Sequence, residues 1–164
     1  TTKAKAIKKT AKSKRLKKEL ISISGLYLLH KEIFKGVWEW AGDQRKTEKN
    51  IGVTPGQVGL QLKKLCDNVN YYIENEVYGF EEIAVRFHHG IVKIHPFVNG
   101  NGRISRLAAD LLLHYRKKKE LPWGMGTTGE LNRDKYISAL SKADQGDFKE
   151  LIEFCYWSNH MGAD

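Results

Sequence analysis

The most informative part of this sequence is the run HPFVNGNGRISR, at positions 95–106. An apolar segment precedes it, and its two glycines lead directly into a strongly amphipathic stretch that predicts a helix from about Asn101. The first backbone N–H groups of a helix have no partner within it, and they carry the positive end of the helix dipole. We therefore expect Gly100, Asn101 and Gly102 to present unpaired N–H groups to an anion.

The side chains around this loop suit a polyphosphate ligand. Arg103 and Arg106 are three residues apart, so both lie on one face of the predicted helix, where they can hold successive phosphates. His95 stands at the start of the loop, where an imidazole can accept the proton of an attacking hydroxyl. Phe97 is predicted to anchor the loop in the core. Each residue alone has an ordinary structural explanation, but their combination predicts a phosphate-transfer site.

The composition is that of a globular domain. The chain has 164 residues, of which 41% are hydrophobic and 10% aromatic, and this is enough to bury a core. No apolar run approaches the roughly 20 residues of a membrane span, and the N-terminus has no secretory apolar region. Cys66 and Cys155 do not form a disulfide framework and fit a reducing compartment. These features predict a cytoplasmic protein without a membrane partner.

The formal net charge of +9 is concentrated at one end of the chain. Residues 1–18 hold nine Lys or Arg side chains and no acidic ones, and the remaining 19 basic side chains (28 less 9) balance the 19 acidic ones. We predict a basic N-terminal segment over 1–19 and one domain over 20–164. A solvated lysine-rich helix is the favoured interpretation of the segment, and nucleic-acid contact through residues 1–18 is the alternative.

Apolar residues recur at helical spacing along most of the chain, so the predicted fold is all-α, with one short β-hairpin flap. The hairpin is predicted where Ile51 and Val53 alternate around Gly52, in a segment too short for a helix. The flap consists of Thr47, Glu48, Lys49, Asn50, Ile51, Gly52 and Val53. The predicted helices run from about Leu26 to a stop at Ala41-Gly42, from Pro55 to about Tyr78, from Phe80 to Ile94, from about Asn101 to Lys118, and over residues 131–144 and 147–161.

The run from His95 to Arg106 resembles the signature of the Fic (filamentation induced by cAMP) domain family, HxFx[DE]GNGRxxR. The helices on either side and the upstream flap match the family as well, so the resemblance covers the chain from about Leu26 to Phe154. Within the family the chain is similar to the mobile mystery protein B subgroup, through the run WEWAG at 38–42 and TEKNIGV at 47–53. The resemblance implies a Fic-type helical bundle.

The resemblance also implies an activity, the transfer of AMP from ATP to a Ser, Thr or Tyr hydroxyl of a target protein with release of pyrophosphate. His95 would be the base and the glycine loop the anion hole. Arg103 would hold the α- and β-phosphates, and Arg106 the γ-phosphate. The flap would pair with the target segment as an added strand. Tyr136, at the start of the helix beyond the 122–130 loop, is assigned to the nucleobase.

Two features depart from the family pattern. Asn99 stands where the family has an Asp or Glu that coordinates Mg²⁺, and the lost charge should lower the affinity for Mg²⁺. We still expect the reaction to need Mg²⁺, because phosphates and water supply most of its ligands. The family's inhibitory helix, with the pattern [ST]xxxE[GN], is not found around Glu19. Inhibition would then come from a partner chain or from a helix upstream of Thr1, or it is absent.

Three alternatives to AMP transfer remain open at this point. The same fold could use another donor (UTP, GTP or CDP-choline) or remove AMP from a modified protein. It could also be a catalytically weak nucleotide-binding module, which the neutral Asn99 would favour. The phosphorylating branch of the family carries a Lys in the glycine loop, and Gly102-Arg103 argues against it.

Overall fold

The structure is a computed structural model that describes residues 2–124 and 132–156, and across these residues it contains helices and turns but no strand. The described part folds as two compact units, Thr1–Lys119 and Glu120–Asp164. The helices of the first unit are α1 (Lys3–Ala11), α2 (Lys14–Glu19), α3 (Ile23–Phe34), α4 (Pro55–Glu74), α5 (Phe80–Ile94) and α6 (Asn101–His114). Those of the second are α7 (Arg133–Asp144) and α8 (Lys149–Tyr156).

Helices α5 and α6 form the centre of the first unit. They pack against each other, α4 covers α5, and α1 and α3 cover α6. The side chains of Phe87 and Ile91 on α5, and of Ile104, Ala108 and Leu111 on α6, are fully buried. Each buried Leu, Ile or Phe contributes about 1.5–3 kcal/mol to folding. The loop between α5 and α6 is therefore mounted on the most buried pair of helices.

The basic N-terminal segment packs onto this unit through its apolar face. Ala6, Ile7 and Leu16 are buried. The ammonium of Lys3 lies 3.2 Å from the carboxylate of Asp110 on α6, whose side chain is 1% exposed. The segment thus combines exposed lysines with a stripe that belongs to the core. The partition at residue 19 stays a prediction.

The first predicted helix is shorter than expected. We predicted one helix to the stop at Ala41-Gly42, but α3 ends at Phe34 and turns follow it. The ring of Trp38 stacks on Phe34 at 4.5 Å, and Trp40 stacks on Trp38 at 4.4 Å. The apolar periodicity therefore continues past the helix, because the aromatic side chains fold back onto the last turn of α3.

Two other helix ends are also earlier than predicted. Helix α4 ends at Glu74 rather than near Tyr78, and α6 ends at His114 rather than Lys118. A left-handed residue follows each helix, Glu76 with a φ of 50° and Lys117 with a φ of 58°, and this conformation stops a right-handed helix.

The predicted β-hairpin at residues 47–53 is wrong. The segment consists of bends and irregular backbone, because Asn50 and Gly52 have φ values of 61° and 79° in the left-handed region. The carbonyls of Thr47 and Val53 accept hydrogen bonds from the side chain of Arg45 instead of from a paired strand. The all-α prediction holds for the described residues.

The second unit is a helix pair. Helices α7 and α8 bury Ala139, Leu151 and Phe154 between them. The N–H of Trp123 donates to the carbonyl of Cys155 over 2.9 Å and joins the start of the unit to its last helix. The helices predicted at 131–144 and 147–161 correspond to α7 and α8, but residues 125–131 and 157–164 lie outside the described part. No helix of the described ranges is long and apolar enough to cross a bilayer.

Candidate active site

His95 caps helix α5 in an unusual backbone conformation. Its φ and ψ are 55° and 61°, in the left-handed region, and its N–H donates to the carbonyl of Ile91 over 2.9 Å. The side chain is half-buried. Burial lowers the pKa of the imidazole, and the positive charges of Arg45 and Lys49 lower this pKa further. The imidazole is therefore neutral at pH 7 and able to accept a proton.

The loop after His95 is closed by a side-chain clamp. The Oδ1 atom of Asn101 accepts a hydrogen bond from the N–H of Phe97 at 2.9 Å, and its Nδ2 atom donates to the carbonyl of Phe97 at 2.8 Å. Asn101 is 4% exposed and Phe97 is fully buried. Both backbone groups of Phe97 are thus paired within the loop, which fixes the loop shape without help from a ligand.

A buried histidine joins this loop to the aromatic cluster beyond α3. The Nδ1 atom of His30 accepts from the N–H of Gly42 at 2.8 Å, so its Nε2 atom carries the proton and donates to the carbonyl of Asn99 at 3.0 Å. The imidazole also stacks on Phe97, with ring centroids 3.9 Å apart. Burial lowers the pKa of His30, which favours this neutral form. No role for His30 was predicted from the sequence.

Helix α6 begins at a left-handed glycine. Gly100 has a φ of 83°, and a Cβ atom there would lie 2.6 Å from the ring of Phe34, so the position requires glycine. Its N–H donates to Oδ1 of Asn99 at 2.8 Å. The expectation that this N–H is unpaired is therefore wrong for this structure. The N–H groups of Asn101 and Gly102 lie in the first helical turn, which supplies them with no acceptor of its own.

The two arginines of the motif lie around the same helix end. The Arg106 guanidinium extends back toward Gly102, where a Cβ atom would lie 3.4 Å from Nη1 of Arg106. The Arg103 guanidinium lies 5.5 Å from the centroid of the Phe34 ring. Burial, followed by the charge of Arg106, holds the pKa of His88 well below its usual range. The positive charges of Arg103 and Arg106 thus lie at the first turn of α6, and the buried His88 is neutral.

The charged residue most closely connected to His95 is Arg45, which sequence analysis did not single out. Its side chain is fully buried. Its Nε atom donates to the carbonyl of His95, and its backbone N–H donates to the carbonyl of Pro96 at 2.9 Å. In the sequence nothing separates it from the adjacent Lys46, because both are single cations in a polar segment.

Comparison with known proteins identifies the architecture. A model of the Fic/DOC family matches residues 20–113. The chain belongs to the Fic/DOC family.

The chain is also similar to curated proteins, and it shares its fold with solved structures. The "Protein adenylyltransferase Fic" of Drosophila willistoni is 26% identical to this chain over 139 residues, which are 82% of this chain and 27% of that protein. The chain thus spans about a quarter of the length of this curated relative. The structure of Fic-1 from C. elegans has a TM-score of 0.71 at 22% identity, covering 94% of this chain and 46% of that one. BepC of Bartonella tribocorum, solved with bound AMPPNP, has a TM-score of 0.60 at 20% identity, with coverage of 83% and 73%.

In this Fic domain the flap and the motif loop lie in direct contact. A Cβ atom added to Gly52 would lie 2.5 Å from the Cβ atom of His95. The structure therefore brings the predicted flap to the predicted base. Tyr136, the residue assigned to the nucleobase, lies in the second unit, where it is 8% exposed and its ring packs 5.6 Å from Phe154. Its role stays a prediction, as does the subgroup resemblance.

Proposed function

We propose that this Fic domain transfers AMP from ATP to a hydroxyl of a target protein. The observation that carries the proposal is the juxtaposition at the junction of α5 and α6. A neutral imidazole caps α5, and a glycine-capped helix with two arginines follows it after a clamped loop. The naming of the relatives as protein adenylyltransferases supports AMP as the transferred group.

The reaction requires little covalent chemistry from the protein. The target hydroxyl oxygen forms a bond to the α-phosphorus of ATP, the bond from that phosphorus to pyrophosphate breaks, and the hydroxyl proton passes to His95. Arg103, Arg106 and the N–H groups of the first turn of α6 stabilise the charge on the phosphates. The flap would place the hydroxyl, because residues 50–52 are exposed next to His95 and offer main-chain groups to an extended segment.

The residues present fit a weakly held Mg²⁺. Asn99 is exposed, and its amide oxygen uses one lone pair on the N–H of Gly100. Its second lone pair is a suitable ligand for Mg²⁺, with nucleotide phosphates and water providing the rest. When bound, the cation would neutralise phosphate charge. We expect transfer to depend on Mg²⁺, with a higher half-saturating concentration than in an Asn99→Asp variant, and transfer that EDTA leaves unaffected would contradict this.

Intact-mass spectrometry tests the proposal. The chain is incubated with Mg²⁺ and, in turn, ATP, GTP, UTP, CTP or CDP-choline, and His95→Ala serves as the control. We expect auto-modification by one or more AMP groups with ATP, and a loss of the base should slow it by about 10²–10⁴-fold. A mass gain with another donor, and not with ATP, would show that the enzyme uses that donor instead. No gain with any donor would reject transfer and favour a nucleotide-binding module.

A further inference from the structure

Arg45 is a fully buried cation that is stabilised by backbone carbonyls. Within residues 2–124 and 132–156, no carboxylate forms an ion pair with it. Its guanidinium is instead hydrogen-bonded to backbone carbonyls. Burying an unpaired charge is costly unless its donors are satisfied, so a fully buried arginine with carbonyl partners indicates a position where hydrogen-bond geometry is needed.

The carbonyls around Arg45 come from two separate segments. Its Nη1 atom donates to Thr47 at 3.1 Å and its Nη2 atom to Val53, the first and last residues of the flap. Its Nε atom donates to His95, and Nη2 also donates to Ile94 at 3.2 Å. One planar group therefore holds both ends of the flap and the end of α5. Arginine suits this task because its donors form a rigid fork.

Two backbone contacts complete the arrangement. The N–H of Val53 donates to the carbonyl of Ile94 at 3.3 Å. Gly52 lies so close that an added Cβ would be 2.7 Å from the carbonyl oxygen of Ile94 and 3.0 Å from Nη2 of Arg45. The flap thus packs directly on the carbonyl of Ile94, next to the proposed base His95, and on the guanidinium of Arg45.

We propose that Arg45 is a positioning residue, which fixes the flap and the His95 backbone as one unit so that a docked hydroxyl meets the imidazole. This inference rests on the proposed function for the identity of the reaction. Arg45 contacts neither reacting atom and acts through His95 and the flap. A misplacement of about 1 Å between base and hydroxyl can cost on the order of 100-fold in rate.

The test compares Arg45→Met, Arg45→Lys and Lys46→Met in the full chain. Met removes the charge and the donors, whereas Lys keeps the charge but cannot span the carbonyls. Lys46 is an exposed neighbouring cation and serves as the matched control. Amide exchange is measured at Val53, the pKa of His95 is followed by NMR, and AMP incorporation is measured as a function of ATP concentration.

We expect amide exchange at Val53 to become about tenfold faster or more in both Arg45 variants, because the flap would open locally more often. The pKa of His95 should rise in Arg45→Met and less in Arg45→Lys. AMP incorporation at saturating ATP should fall about 100-fold with an unchanged ATP dependence, because the phosphate-binding residues are untouched. Lys46→Met should match the wild type in every readout.

Wild-type exchange at Val53 in folded Arg45→Lys or Arg45→Met would overturn the proposal. Circular dichroism identifies a variant that fails to fold, and Arg45→Lys decides the outcome when Arg45→Met does not fold. If the wild type transfers no nucleotide from any donor, the proposed function fails, but exchange at Val53 and titration of His95 still decide whether Arg45 positions the two segments.

Discussion

The motif loop (residues 95–101) and the flap (residues 47–53) meet at His95, but different kinds of contact hold them in place. The clamp of the loop is local, since Asn101 and Phe97 are four residues apart. The flap is instead attached to a remote segment, since Arg45, which holds both of its ends, also donates to the carbonyl of His95, 50 residues away, and the N–H of Val53 donates to the carbonyl of Ile94. The loop is also joined to α3 through the side chain of His30.

This contrast indicates that the two segments have different tasks. The segment that would bind the nucleotide is shaped before any ligand arrives, and its supporting groups are buried. The segment that would bind the target is exposed and attached at its two ends, so that its middle can adapt to a protein partner. Preorganised geometry favours charge stabilisation, and an adaptable edge favours recognition of an extended chain.

The largest effect on stability is expected from Phe97→Ala. The ring is fully buried and stacks on His30, so its removal leaves a cavity under the loop and should lower the free energy of unfolding by about 3–5 kcal/mol. The adjacent Val98 is 38% exposed, and Val98→Ala should change the free energy of unfolding by less than about 0.5 kcal/mol. Urea unfolding followed by circular dichroism measures both. Equal effects would show that the loop is not anchored through Phe97.

A somewhat smaller loss is expected from Asn101→Ala. The variant leaves the buried N–H and carbonyl of Phe97 without partners, at about 1–2 kcal/mol each, so the free energy of unfolding should fall by about 2–4 kcal/mol. The side chain of the exposed Asn99 accepts one hydrogen bond, from the N–H of Gly100, and Asn99→Ala should cost about 0.5–1.5 kcal/mol at most. If the two variants unfold at the same urea concentration, the clamp does not hold the loop.

Gly52→Ala tests the flap side of the comparison. Its positive φ and its closeness to His95 should make the substitution cost about 1–2 kcal/mol, and transfer activity should fall as the flap moves away. Gly56→Ala is the matched control, because no atom lies within 4 Å of the added Cβ. Thermal unfolding and AMP incorporation measure the pair. A flap that tolerates the alanine would show that it does not need to approach the base.

The smallest effect is expected from Lys49→Met. Arg45 and Lys49 are the cations that, after burial, lower the pKa of His95 from its ordinary value of 6.5. AMP transfer needs a neutral His95. The acid limb of its pH profile should therefore lie below pH 6.5 in the wild type. Removing Lys49 raises the pKa and should move the limb to higher pH. The pH profile of AMP incorporation measures the shift, and a limb that stays in place or moves to lower pH would contradict the assigned base.

The sequence was sufficient for the loop because its parts are adjacent. The helix ends, the glycines and the two arginines follow from residues 95–106 alone, and α5 has the predicted bounds of Phe80–Ile94. The sequence did not show where the aromatic side chains that follow α3 would pack. The spacing of Trp38 from Phe34 is the same for a helix and for a ring folded back on Phe34, so α3 was predicted too long.

The flap and its support needed information from distant parts of the chain. Alternation of Ile51 and Val53 predicts a hairpin only if a partner strand exists, but the flap carbonyls pair with Arg45, whose position depends on His95, 50 residues away. His30 was overlooked for a similar reason, since its partners Gly42 and Asn99 lie 12 and 69 residues away. Contacts of this range are properties of packing and leave no local pattern.

The left-handed backbone of His95 has a practical consequence for anyone replacing the residue. Histidine and asparagine adopt this conformation several-fold more readily than most residues, whereas β-branched side chains are strained there. Alanine therefore removes the imidazole and also weakens the turn that ends α5. Asparagine removes the proton acceptor while preserving the turn, and a comparison of His95→Asn with His95→Thr would separate loss of the base from loss of the backbone shape.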